Sequence, residues 1–211
     1  MWTEKYRPRR LDEVVGQEET VAELRAYLRA GEIPHLMFVG PPATGKTTLA
    51  YVLARELNGE GWEADFLELN ASNDRGIETI RGRLLTFLRA RPWGRFRILL
   101  LDEAEGLTGE AQQALRRPLE TAAAGRCRFI FTANDVWGFQ QWHPALQSRC
   151  RTFRFHPLEA EAMLTRLRQI VQAEGLPLDE RVLRAAAVTA KGDLRQAMMR
   201  LEAVAAEGAL A

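Results

Sequence analysis

Nine residues, Gly40-Pro41-Pro42-Ala43-Thr44-Gly45-Lys46-Thr47-Thr48, constrain this chain more than any other stretch. They satisfy G-x-x-x-x-G-K-[ST], a loop whose backbone N–H groups wrap the phosphates of a nucleoside triphosphate. A triphosphate concentrates negative charge in a small volume, and backbone amides reach it only where side chains stay away. Gly40 and Gly45 permit that approach and the unusual φ values it needs. Lys46 supplies a compact cation for the β- and γ-phosphates, and Thr47 a hydroxyl for Mg²⁺. Such a loop has to sit between a strand and a helix N-terminus, whose dipole favours anions. The flanks comply. Leu36–Val39 is a short apolar run, and Thr48–Leu57 lacks Gly and Pro and carries Leu49, Val52, Leu53 and Leu57 at helical spacing.

The rest of the chain alternates in the same way. Ala64–Asn70, Arg97–Asp102, Arg128–Asn134 and Arg151–Phe155 read as further strands. The run Arg97–Asp102 is continuously apolar and ends in a carboxylate, as a buried parallel strand would. Helices are expected near Glu18–Arg29 (ended by Gly31), over Ile77–Arg89 after a turn at Ser72–Gly76, and from a Thr108 cap through Leu115. Beyond His156-Pro157 the strands stop, and Leu158–Glu174, Asp179–Ala190 and Gly192–Glu207 read as three helices. The expectation is an α/β fold with a five-stranded parallel sheet, followed by a small all-helical lid, with the division at 1–155 and 156–211. The first ten residues are polar and basic and contain Pro8, so they are expected to lie extended over the surface. A net charge of +1 gives no global signal for nucleic acid or membrane, so any basic surface must be local. Cys127 and Cys150 have no metal-ligand spacing and suit a reducing compartment. No run of 18 apolar residues and no signal-peptide core is found. The chain therefore reads as cytoplasmic, or nuclear in a eukaryote, not secreted and without a membrane partner.

Other residues acquire meaning beside the loop. Asp102 at the end of a parallel strand can hold Mg²⁺, and Glu103 can polarise an attacking water; on their own, with Glu105 following, they would also read as a solvated acidic turn. Asn134, after the next strand, can orient that water or simply bond its own turn. Arg149 and Arg195 read equally as surface arginines. On the helix from Ile77, at about 100° per residue, Ile80, Leu84, Leu85, Phe87 and Leu88 share one apolar arc, and Arg81 falls inside it. That suits either a phosphate-tracking arginine or a buried ion pair.

The stretches Trp2–Pro8, Gly40–Thr48, Asn70–Gly76, Asp102-Glu103-Ala104-Glu105, Leu115-Arg116-Arg117 and Ser148-Arg149-Cys150 occur together in this order and spacing. In this the chain resembles the small subunits of replication factor C, the AAA+ sliding-clamp loader of archaea and eukaryotes. The resemblance implies an AAA+ P-loop domain with a lid, and an ATPase using ATP and Mg²⁺. Asp102 and Thr47 would hold the metal, Glu103 activate water, Asn134 act as sensor, Arg195 touch ATP from the lid, and Arg149 reach a neighbouring subunit's ATP. Tyr6, Arg7, Pro8, Val15 and Gly16 would line the adenine pocket, with Pro42, Ala43, Thr44, Gly45, Lys46, Thr47 and Thr48 around the phosphates. Arg81 and Arg83 would contact DNA phosphates. The implied partners are other AAA+ subunits in a ring or spiral, a sliding clamp and primer–template DNA.

The chain also departs from that pattern. Ala43 replaces a glycine, which nucleotide binding tolerates if φ there is negative. Pro118 should end or kink its helix. The segment Asn134–Ser148, with Trp137, Phe139 and Trp142, is about three residues longer than usual in the family. The collar domain that family members carry after the lid is missing from this sequence, so the chain reads as a fragment or as collarless. Two other readings compete: a branch-migration or helicase-type AAA+ oligomer, which would favour aromatic–basic pore loops, and a non-hydrolysing scaffold, which would need neither Glu103 nor Arg149.

Overall fold

The computed structural model describes residues 1–72, 77–134, 142 and 144–208, apart from the side chains of 77–81, 123, 124, 207 and 208. The turn expected over residues 73–76 and most of the long 134–148 segment, Trp137 and Phe139 included, lie outside the described residues. Five strands, β1 (His35–Val39), β2 (Phe66–Asn70), β3 (Arg97–Asp102), β4 (Cys127–Ala133) and β5 (Cys150–Arg154), form one sheet in the order β2-β3-β4-β1-β5. All neighbouring pairs are parallel. This is the expected sheet, and its strand order puts β1, with the phosphate loop at its end, between β4 and β5.

The strands alternate in what they bury. Met37, Val39, Leu99, Leu101, Phe129 and Phe131 face one core, shared with helices α4 (Ile77–Arg89) and α5 (Gly109–Ala124). Leu36, Phe38, Ile98, Leu100 and Ile130 face the other, shared with α2 (Glu18–Ala30) and α3 (Lys46–Asn58). A sheet buried on both faces explains why β3 reads as an unbroken apolar run. His35, at the start of β1, fastens this assembly across layers. Its Nδ1 accepts from Phe129 N and its Nε2 donates to Leu119 O, both at 3.1 Å, and burial lowers its pKa to about 4.

One expectation fails, and half of another, for physical reasons. Pro118 does not end its helix, since α5 continues to Ala124. The lost N–H would have bonded the carbonyl of Ala114, an exposed position where water can replace it. Leu115, Leu119 and Ala122, on both sides of Pro118, are buried and hold the helix down. The first residues are not extended either. Trp2–Lys5 form one helical turn (α1), and Trp2, only 8% exposed, enters the core of the helices after β5. Its anchor is remote in sequence, because Trp2 N donates to Glu202 Oε1 at 3.1 Å.

A short turn α6 (Pro144–Gln147) precedes β5, and the helices after β5 are α7 (Ala160–Glu174), α8 (Glu180–Thr189) and α9 (Leu194–Gly208). The final three share a core of their own around Leu164, Leu167, Ile170, Leu183 and Leu201. Among the described residues no helix is long and apolar enough to cross a membrane.

Candidate functional site

The loop after β1 is shaped by what surrounds it. A methyl group on Gly40 would meet Phe155 O at 2.3 Å, so glycine is required where β5 and β1 close together. Gly45 has open space around it and is needed instead for its φ of 98°, which starts α3. Ala43 also lies in the left-handed region, at φ 60°, so the condition set for it, a negative φ, is not met. That conformation costs an L-residue about 1–2 kcal/mol. The loop absorbs the strain because its ends are fixed by Gly40 N donating to Ala133 O at 3.1 Å and by α3.

Lys46 is 5% exposed, and its Nζ donates to Gly40 O at 2.8 Å and to Pro41 O at 2.6 Å. Burial lowers its pKa from 10.5 to about 8, against the opposing charges of Glu105 and Asp102. Phosphates would favour the charged amine and restore its proton affinity. Just above pH 8, nucleotide binding should therefore take up protons, and affinity should fall as pH rises further. Calorimetric titration in buffers of different ionisation enthalpy reads this directly, and zero uptake would contradict it.

Asp102 ends β3 beside the loop. Its Oδ1 accepts from Thr47 Oγ1 at 2.9 Å and from Thr132 Oγ1, while Thr132 Oγ1 accepts from Glu103 N at 3.2 Å. Glu103 itself sits at φ 52°, a strained backbone of the kind found where function over-determines geometry. A cavity of about 380 Å³ opens over this floor, lined by Pro42, Lys46, Thr47, Tyr51, Glu68, Asp102, Glu103, Thr132 and Asn134. Thr47 and Asp102 present hard oxygens side by side, which suits Mg²⁺, an ion that keeps waters and shares phosphate oxygens. Thr132 escaped sequence reasoning, although one hydroxyl in the run Phe129–Ala133 is its signal. Tyr51, which donates to Glu68 and carries Arg7 at 5.4 Å over its ring, gave no signal at all.

A second cavity of about 430 Å³ adjoins the first, and the two share Arg7, Ala43, Gly45, Thr48 and Arg195. Its walls come from Tyr6, Pro8, Val14, Val15 and Thr44 on one side and from Leu158, Leu194, Arg195 and Met198 on the other. Tyr6 is tied to α7, with its hydroxyl on Glu174 and its carbonyl accepting from Arg166 at 2.8 Å. Gly16 lies outside both cavities and lines a separate polar groove with Gln17, Arg154 and His156. Arg149 lines neither cavity; it donates to Glu120 Oε1 at 2.6 Å and to Ala145 O at 2.8 Å. Arg83 is exposed on α4, and the side chain of Arg81 lies outside the described residues.

The family model for the ATPase family associated with various cellular activities (AAA) matches residues 36–158, which include the loop, Asp102, Glu103, Asn134 and Arg149. The chain belongs to the AAA family. A model described as the RCF1/5-like AAA+ ATPase lid domain matches residues 165–206, within helices α7–α9. Among curated relatives, the replication factor C small subunit of Archaeoglobus fulgidus is 47% identical over 210 residues, or 99% of this chain and 65% of that protein. Replication factor C small subunit 2 of Pyrobaculum aerophilum is 49% identical over 206 residues, 97% of this chain and 63% of its own length. This AAA chain thus spans less than two thirds of these relatives. Among solved structures, the Thermotoga maritima RuvB Holliday junction branch migration motor superposes with a TM-score of 0.76 at 20% identity, covering 92% of this chain and 63% of that one. That likeness speaks for the fold alone.

Proposed function

We propose that this chain is an ATP-hydrolysing subunit of a clamp loader, converting ATP and water to ADP and phosphate to load a ring clamp onto primer–template DNA. The observation that carries the reading is the cavity floor, where the loop lysine, the Thr47–Asp102 pair and Glu103 converge. Lys46 and the loop amides bind phosphate oxygens, and Arg195 closes on them from α9. Thr47 and Asp102 would hold Mg²⁺, and the ion would supply charge neutralisation for phosphoryl transfer. Glu103 accepts a proton from the attacking water, and Asn134 orients that water. Tyr6, Arg7, Pro8 and Val15 take the base in the adjoining cavity.

The division at 1–155 and 156–211 is kept with one change. The α1 turn moves with the helical lid, since Trp2 and Tyr6 pack on its core. Arg149 serves the neighbour's site, Arg83, exposed on α4, contacts DNA phosphates, and Arg81 has the same role by its place in the sequence. The relatives named replication factor C favour this reading over a branch-migration motor, for which only the shared fold speaks.

The deciding measurement is steady-state ATP turnover. It should rise with primer–template DNA and rise further when a ring clamp is added. Turnover indifferent to both would leave an AAA ATPase but remove the clamp-loader assignment.

A further inference from the structure

Glu105 stands two residues beyond Glu103, on a tight turn over Ala104–Gly106, and has no part in the chemistry above. Its Oε1 accepts the backbone N–H of Asn134 at 3.2 Å. Its Oε2 is buried and has no hydrogen-bond partner among the described residues. Stability does not explain this arrangement, because buried polar atoms are normally paired, and an apolar residue would avoid the cost of the orphaned oxygen. The turn that carries Glu105 is itself fixed. Gly106 N donates to Glu103 O at 2.9 Å, Leu107 N to Ala104 O at 3.1 Å, and Ala104 is fully buried. The ends of β3 and β4 are therefore joined twice beside the cavity. Thr132 bridges Asp102 and the Glu103 backbone, and two residues further along the same chain Asn134 meets Glu105.

We propose that Glu105 is a positioning residue, whose carboxylate fixes the backbone of Asn134 so that the Asn134 side chain meets the reacting water, and that it governs turnover rather than ATP affinity. The inference rests on the reading of the cavity as an ATP-hydrolysing site. Geometry supplies the reason for the kinetic split. Glu105 touches no wall that the loop and Lys46 do not already provide for binding, whereas a displacement of about 1 Å near the reacting atoms can cost roughly 10²-fold in rate. Its charge also opposes the loss of the Lys46 proton, more strongly than Asp102 does. Glu105→Gln removes the same charge as Glu105→Ala, so comparing those two variants keeps that influence apart from the positioning effect.

The test is a set of variants assayed for thermal unfolding, ATP Kd and kcat at neutral pH. Glu105→Ala should lower kcat about 10- to 100-fold with ATP Kd nearly unchanged. Glu105→Gln retains an acceptor oxygen for the Asn134 N–H and should turn over close to the parent rate. Asn134→Ala should be slow by itself, and adding Glu105→Ala to it should bring little further loss, because both changes remove one function. Should Glu105→Ala fail to fold, Glu105→Asp keeps the charge, withdraws the oxygen by one methylene and carries the same expectation of slow turnover at unchanged affinity. A parent-like kcat in Glu105→Ala, a Gln variant as slow as the Ala variant, or multiplied losses in the double variant would each overturn the inference alone. Absence of Lys46-dependent turnover in the unsubstituted chain would overturn the site reading and this inference together.

Discussion

Glu103→Gln should bind ATP as the parent does and hydrolyse it about 10²- to 10⁴-fold more slowly, the usual contribution of a positioned general base. The substitution preserves volume and the hydrogen bond from its backbone N–H to Thr132 Oγ1, so the β3–β4 junction stays intact. It removes only the ability to take a proton. Lys46→Ala should fail differently. Its ammonium lies within the loop, bonded to Gly40 O and Pro41 O, and it meets phosphates in the ground state. Hydrogen bonds to a charged group contribute about 1.5–3 kcal/mol, so ATP affinity should fall about 10- to 100-fold. Filter binding with labelled ATP and single-turnover hydrolysis separate the two cases. Equal loss of binding in both variants would remove Glu103 from its role as base and leave it a structural carboxylate.

Such contrasts could be drawn because much of the site is local in sequence. The loop, its flanking strand and helix, and the carboxylate at the end of β3 are each encoded within ten or so neighbouring residues, and β3 was legible to the residue as Arg97–Asp102. The misses depend on surroundings that residue type and periodicity do not carry. The helical turn of Trp2–Lys5 exists because α9 offers a core and Glu202 an acceptor 200 residues away, and no periodicity in the first ten residues announces that. The positive φ of Ala43 is imposed by closure of the loop between β1 and α3, while the residue type argues for the opposite. Pro118 stays helical because burial of Leu115 and Leu119 outweighs one missing hydrogen bond, a balance that propensity alone cannot weigh. Thr132 and Glu105 were hidden for a related reason. Their meaning lies in which strand end they face, and that follows from the sheet order, with β4 between β3 and β1.

The same sheet order decides where Arg149 can act. Cys150 pairs with His35 at the start of β1, whereas the phosphate loop follows Val39 at its other end. With parallel strands rising about 3.3 Å per residue, Arg149 lies about 20 Å from the loop along the strand direction, further than its side chain reaches. An arginine acting on phosphoryl transfer from there has to serve a different subunit. Here its guanidinium rests on Glu120 Oε1 and Ala145 O, and a half-exposed ion pair of that kind is worth only about 0–1 kcal/mol, so exchanging it for a phosphoryl group costs little. Arg149→Ala should consequently bind ATP nearly normally and hydrolyse it about 10³- to 10⁵-fold more slowly, the range for an arginine supplied to a transferring phosphoryl group. Arg149→Ala and Lys46→Ala should each be nearly inactive alone and recover activity when mixed. In a head-to-tail assembly of equal parts, roughly a quarter of random neighbour pairs would join an intact Lys46 to an intact Arg149. Native mass spectrometry establishes that mixed oligomers have formed, and a phosphate-release assay reads the recovery. An arginine working within its own subunit gives no recovery at any mixing ratio. Verified mixed oligomers that stay inactive would therefore take Arg149 out of the neighbour's site.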